Sequence, residues 1–391
     1  MRAGGALFKR CSESIRYHGD LLRFRAFWFL SLSARHRPIR VLFLSDQISR
    51  TNELQFSPYY WFRKALVQKA GFVFRAARIV PGILPRASDL AGYDLIALKL
   101  QYKTPPEDVG RIALHVSQCK EAGTKLAYFD GIDDLCVHWP VLLDHVDFYV
   151  KRHAFRDRSQ YLKNHVGSTN LTDYVFRTFG TDALGGDSSA SGAVKGEHLP
   201  KIMLGLTFGM DEWALRLHQA ARRKGLPAVR PHDVVCRADI PQNWMAYLRK
   251  PIGPVMERLR AKGRTVITPE KRVSREEFYQ EMASAKIYIS PFGYGEICGR
   301  DYECVILGAL LMKTDMGHVE VYPDIYRPYE TYVPVAWDYS DLEEKVEHYL
   351  ENPDERTRIT SNARAVVDEA YGEKWFIDHV MRMKAIMGFN K

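Results

Sequence analysis

SPFGYGEICGRDYECVILGALLM, residues Ser290 to Met312, decides how the rest of the chain is read. It follows Lys286 to Ile289, an apolar and aromatic run with the character of a buried strand. Pro291 blocks continuation of that strand, and Gly293 and Gly295 let the backbone turn tightly and approach a ligand. From Arg300 the period becomes helical, with Tyr302, Val305, Ile306 and Ala309 on one face. Arg300 and Glu303 share another face in the first turn, and Leu310 to Met312 reads as the next strand. In a parallel α/β sheet such a loop sits at the carboxyl ends of the strands, where ligands bind. The N–H groups of the Ser290, Gly293 and Gly295 loop and the helix dipole suit a phosphate. Arg300 offers a fork to phosphate oxygens, and Glu303 can accept from ribose hydroxyls. The bland alternative for Arg300 and Glu303 is a surface ion pair.

Strands alternate with helices on both sides of this stretch. Upstream, Ile39 to Leu44, Phe72 to Val80, Tyr93 to Leu98, Leu126 to Phe129 and Lys201 to Phe208 read as strands. Helical spacing recurs at Tyr59 to Ala70, through Ile112, Val116 and Cys119, and at Glu212 to Lys224. Downstream, Asp233 to Cys236, ending in Arg237, and Thr265 to Ile267 are strands. Ser274 with Glu277, and Ser340 with Glu343, read as capping boxes. The pattern predicts two doubly wound parallel sheets. The expected division is a basic segment 1–38, a first domain 39–226, a second domain 227–373 and a closing helix 374–391. The glycine-rich run Gly180 to Gly196 reads as a mobile loop. Asp130, Asp133 and Asp134 form a polar loop whose spacing is not that of a metal-binding Asp-x-Asp. Lys151, Arg152, His153, Arg156 and Arg158 form a basic and aromatic cluster. That cluster would meet an anionic ligand across a cleft, or is a solvated helix face.

The central stretch resembles the donor-binding element of GT-B glycosyltransferases, in particular CgeB-like and family-1-type bacterial enzymes. They place a Ser-Pro-Phe-Gly-x-Gly-Glu loop before an Arg-Asp-x-Glu helix start; exostosin-type transferases carry a similar Arg-x-x-Glu. The resemblance covers roughly residues 230–387, including the tail from Glu330 to Ala370. Glu296 and Glu303 stand seven positions apart, where the common retaining pattern has eight. The resemblance implies a GT-B-like fold and transfer of a sugar from a nucleoside diphosphate to an acceptor hydroxyl. Arg300, Arg237 and backbone N–H groups would stabilise the leaving diphosphate. Glu296, Asp130 and His153 are the catalytic candidates, with Asp133 a further candidate base. Ser290, Gly293, Gly295, Arg237, Arg300 and Glu303 are the donor-binding ones. No cofactor is implied beyond the nucleotide-sugar donor, and the acceptor would be a glycan or lipid-linked glycan. The rival is a non-catalytic nucleotide-binding or scaffold protein on the same fold.

The 391 residues are enough for two ordinary domains, and the apolar fraction of 46% is that of a globular protein. Six scattered cysteines without a CxxC pair argue against a disulfide framework or a metal site and for a reducing, cytoplasmic compartment. The net charge of +9 is concentrated at the start, since residues 1–40 carry +7. A nearly balanced body lacks the basic footprint of a nucleic-acid binder. Leu21 to Leu32 is aromatic-rich, interrupted by Arg23 and Arg25, and too short to span a bilayer. It fits a peripheral helix on an anionic membrane surface, a transit peptide, or a helix packed on the protein itself.

Overall fold

A computed structural model describes residues 38–45, 55–79, 82–102, 104–185, 192–269 and 272–389. The amphipathic stretch read at residues 1–37 lies outside them.

The first sheet holds β1 (Ile39–Ser45), β2 (Phe72–Arg78), β3 (Leu95–Lys99), β4 (Lys125–Asp130), β5 (Phe148–Lys151) and β7 (Ile202–Leu204). Every pair is parallel, in the order β2-β1-β3-β4-β5-β7. The second sheet holds β8 (His232–Val235), β9 (Val266–Ile267), β10 (Ala285–Ser290), β11 (Leu310–Thr314) and β13 (Val333–Val335). It is parallel too, in the order β13-β11-β10-β8-β9. Numbered within its own domain, the second sheet runs 2-1-3-4-5 from its β9 edge, the order with which the first sheet begins. Both are doubly wound sheets whose direction of progression reverses between the first and third strands. Parallel strands are covered on both faces, so they read as continuous apolar runs; β3 and β11 are buried at every position.

The helices, in chain order, are α1 (Ser57–Trp61), α2 (Ala87–Leu90), α3 (Pro106–Cys119), α4 (Asn170–Phe179), α5 (Glu212–Lys224) and α6 (Met245–Arg249). They continue as α7 (Ile252–Ala261), α8 (Arg275–Ala283), α9 (Gly299–Leu307), α10 (Leu342–Glu351), α11 (Pro353–Ala370) and α12 (Glu373–Ile386). The helix expected over Tyr59 to Ala70 is broken after α1 and ends in a wide turn over Leu66–Ala70, with Gly71 left-handed at φ 69°. Ser274 caps α8 by accepting from the Glu277 N–H at 3.1 Å. The second capping box does not form: Asp341 precedes α10 and its carboxylate accepts from the Ala336 N–H instead.

Three connections tie the sheets together. The basic cluster at 151–158 is not a solvated helix face. It runs through β5 and β6 (His153–Phe155), and Lys151, Arg152 and His153 are buried. β6 pairs antiparallel with β12 (Val319–Val321), joining the two halves of the chain by backbone hydrogen bonds. α5 packs on α9, and Gly209 lies so close to the Tyr302 ring that a Cβ there would come within 2.3 Å of it. α12 returns to the first sheet, with Phe376 stacked on Phe62 at 4.8 Å and Met383 Sδ 3.5 Å from the Tyr59 hydroxyl.

Candidate active site

In the second sheet the order reverses between β8 and β10, so a crevice is expected beyond their carboxyl ends. A cavity of about 330 Å³ lies there. Its wall takes Arg237 and Asp239 from beyond β8, Arg272 from the approach to α8, Arg275 and Tyr279 from α8, and Glu303, the fifth residue of α9. Three guanidinium groups share the wall with two carboxylates, Asp239 and Glu303, and an aromatic edge, a lining suited to an anionic, hydroxyl-bearing ligand. Arg237 is held by a two-point ion pair with Glu281, at 2.6 and 2.5 Å. Glu303 Oε1 accepts from the Tyr279 hydroxyl at 2.6 Å. Burial raises the Glu303 pKa, against the opposing influence of Tyr279 and then Arg275.

Arg237 and Glu303, far apart in sequence, thus share one cavity. Arg300 does not join them. Its Nε donates to Ser290 Oγ at 2.9 Å and its Nη2 to the Pro291 carbonyl at 2.5 Å, so it clamps the loop at its root. Nor are Arg300 and Glu303 an ion pair, because each has found a partner outside the helix. Beneath the clamp is Asp301, which the sequence reading passed over. Fully buried, it accepts from the Cys298 N–H at 3.0 Å, the Tyr326 hydroxyl at 2.7 Å and Ser290 Oγ, and pairs with buried Lys313 at 3.1 Å. The signal available was an acidic residue at the third helical position, which caps the helix from within.

The glycine loop points toward the first domain. An ideal Cβ on Gly295 would stand 1.4 Å from the Asp133 carbonyl oxygen, so only glycine allows this approach. Next to it Glu296 is fully buried. Its Oε1 accepts from Asn170 Nδ2 at 2.5 Å and lies 3.5 Å from His318 Nε2. Oε2 has no partner among the described residues. Burial disfavours the Glu296 carboxylate, but His318 and Asn170 outweigh it and hold the pKa below the usual value. Asn170 and His318, one from each domain, carry no sequence pattern that marks them. Gly293 lies in the same loop, its N–H donating to the Gly295 carbonyl at 2.9 Å.

The remaining candidates line the first-domain side. Asp130 is fully buried, pairs with Lys151 Nζ at 2.7 Å and accepts from the Tyr149 hydroxyl at 3.1 Å. Desolvation opposes the Asp130 charge, yet Lys151 holds its pKa below the ordinary range. His153 is buried, with Nε2 3.2 Å from the Asp133 carbonyl, and burial pushes its pKa down to about 4. Asp134 is driven the other way: burial pushes its pKa up to about 8, although Lys151 opposes the rise. Asp133 lies 3.6 Å from the Arg152 guanidinium. Among the described residues, no three His, Cys, Asp or Glu side chains are grouped to hold a metal ion.

Residues 215–381 match the family described as glycosyl transferase-like. The match begins within α5 and ends within α12, so it contains the whole second sheet and the cavity. No curated protein matches the chain. Among solved structures, the chain is similar to a glycosyltransferase from Rickettsia africae, at 10% identity, covering 91% of this chain and 100% of that one with a TM-score of 0.48. It is also similar to Anabaena HepE in complex with UDP-glucose, at 12% identity, 88% and 99% coverage and a TM-score of 0.45. A trehalose-phosphate synthase from Burkholderia vietnamiensis matches at 10% identity, 89% and 100% coverage and a TM-score of 0.47. Likenesses this distant bear on neither substrate nor mechanism. The two doubly wound sheets, one of them inside the matched region, form the GT-B-like architecture expected from the sequence. Among the described residues, no helix is long and apolar enough to cross a membrane.

Proposed function

We propose that the protein transfers a sugar from a nucleoside-diphosphate sugar to an acceptor hydroxyl, with the nucleotide in the cavity beyond β8 and β10. The observation that carries this reading is the lining of that cavity, three arginines beside Glu303 and Asp239, at the reversal point of a sheet that lies within the glycosyl transferase-like match. Glu303 would accept from the ribose hydroxyls, and Arg237, Arg272 and Arg275 would hold the diphosphate and stabilise it as it leaves. Arg300 would act through the loop, fixing Ser290 and the glycines that meet the sugar end of the donor.

Among the catalytic candidates, Glu296 is best suited to touch the reacting sugar, because one carboxylate oxygen has no protein partner among the described residues. Asp130 is engaged by Lys151 and Tyr149, and would instead stiffen the loop that meets Gly295. His153 would serve only in its neutral form. The acceptor would be a glycan or lipid-linked glycan, and the protein would work in the cytoplasm with segment 1–38 resting on an anionic membrane surface. Incubation with labelled nucleotide sugars tests the reading. Release of nucleoside diphosphate with sugar transferred or hydrolysed supports it. Tight nucleotide binding with no turnover of any donor would instead favour the non-catalytic alternative.

A further inference from the structure

Besides its charged groups, the cavity wall carries a tyrosine whose hydroxyl touches Glu303. Tyr279, on α8, stands between Trp213 on α5 and Glu303 on α9. Its hydroxyl is hydrogen-bonded to the Trp213 indole Nε1 and lies 2.6 Å from Glu303 Oε1. An indole N–H can only donate, so the Tyr279 oxygen is the acceptor in the first bond. Its single proton is then committed to Glu303. The direction of this relay is therefore fixed by chemistry: Trp213 to Tyr279 to Glu303. The Trp213 ring is itself held, with the Arg275 guanidinium 4.3 Å over its face.

We propose that Tyr279 is a positioning residue for the nucleotide, holding Glu303 by one oxygen so that the other accepts from the ribose, with Trp213 fixing the direction of the Tyr279 hydroxyl. This rests on Glu303 being the ribose partner. A glutamate side chain on a helix has several rotamers, and a ligand that must first select one binds less tightly. The relay removes that selection by drawing on three helices. It also opposes the rise that burial imposes on the Glu303 pKa. The groups facing Glu303 are Tyr279 and Arg275 from α8, Asp211 before α5, Arg300 from its own helix, and Arg237 across the cavity. Burial favours the neutral acid, and Tyr279 is the strongest influence against it.

The test is calorimetric titration of the full chain and its Tyr279→Phe and Trp213→Phe variants with uridine, UDP and inorganic pyrophosphate at pH 6 and pH 8. Guanosine and GDP serve in parallel. Tyr279→Phe is expected to weaken nucleoside and diphosphate alike, by about tenfold at pH 8 and by more at pH 6, because loss of the Tyr279 hydrogen bond raises the Glu303 pKa further. Pyrophosphate, which does not use Glu303, should bind as in the parent. Trp213→Phe keeps a ring beneath Arg275 and should show the same pattern at about threefold. If Tyr279→Phe binds nucleoside like the parent at both pH values, or loses pyrophosphate equally, the positioning role is wrong. Glu303→Ala separates the two levels of the argument. Weakened nucleotide binding there with none in Tyr279→Phe overturns the relay alone, whereas a parent that binds neither nucleotide overturns the nucleotide reading itself.

Discussion

Replacing Gly295 by alanine should drive the two domains apart where they touch most closely. The added Cβ would lie 1.4 Å from the Asp133 carbonyl oxygen, 2.3 Å from its carbon and 3.1 Å from the Asp134 nitrogen. Ordinary contact needs about 3.5 Å, so one loop must retreat by about 2 Å. The first-domain loop has little freedom to do so. Lys151 Nζ donates to the Asp134 carbonyl at 3.2 Å, His153 Nε2 is 3.2 Å from the Asp133 carbonyl, and the Asp134 carboxylate accepts from the Cys136 N–H at 2.9 Å. The glycine loop would therefore move, pulling Glu296 from Asn170. Overpacking of this kind costs about 1–3 kcal/mol. Losing a hydrogen bond to a charged group adds about 1.5–3 kcal/mol, for a total of about 2.5–6 kcal/mol. At about 2–4 °C per kcal/mol, the melting temperature should fall by at least about 5 °C. Gly299, only four positions on, is the control: no atom lies within 4 Å of its ideal Cβ, and its φ is not among the positive ones. Gly299→Ala should be neutral or stabilising by up to about 1 kcal/mol. Thermal and urea unfolding of the two variants decide the matter. If Gly295→Ala melts with the parent, the close contact between the loops is not a feature of the folded protein.

Two other substitutions probe the buried charges. Asp301→Asn leaves Lys313 buried without its carboxylate and should cost about 3–5 kcal/mol in chemical denaturation. Neutralising the surface pair Lys262 and Glu343 should leave the urea midpoint nearly unchanged, and equal losses would contradict the hub assigned to Asp301. Asp134 supplies a pH signature. Its folded pKa is raised to about 8, while the unfolded chain has an ordinary carboxyl near 4. Below about pH 4 both states are protonated; between about 4 and 8 only the unfolded state ionises, so the parent loses stability as pH rises. Asp134→Asn cannot ionise and should gain on the parent from pH 5 to pH 8, as read by urea midpoints. A constant difference across that range would show that Asp134 is not held neutral in the fold.

The alternation of strand and helix was legible because strands covered on both faces leave unbroken apolar runs, as in Val41 to Leu44 and Leu310 to Met312. A cavity lies where strand order puts a crevice, and Arg237 and Glu303 both line it. What the sequence concealed depends on long-range partners. Lys151 and Arg152 look solvated in a linear reading, yet Asp130 and Asp133, about twenty residues earlier, let them lie in a buried strand. The pairing of β6 with β12 joins segments more than 160 residues apart, and neither is long enough to read as a strand by itself. Helical spacing put Arg300 and Glu303 on one face correctly, but Ser290 and Pro291 take the arginine and Tyr279 takes the glutamate. Local geometry sets which side chains can meet, and neighbours from other elements decide which of them do.

Calorimetric titration of the parent and Glu303→Ala with a nucleoside and its diphosphate tests the central claim most directly. A hydrogen bond to a charged group contributes about 1.5–3 kcal/mol, so loss of the carboxylate should weaken both ligands by roughly ten- to a hundredfold. Nucleotide binding by the parent with that loss in the variant is the predicted result. A variant that binds both ligands like the parent would place the nucleotide outside the cavity beyond β8 and β10, and would contradict the account.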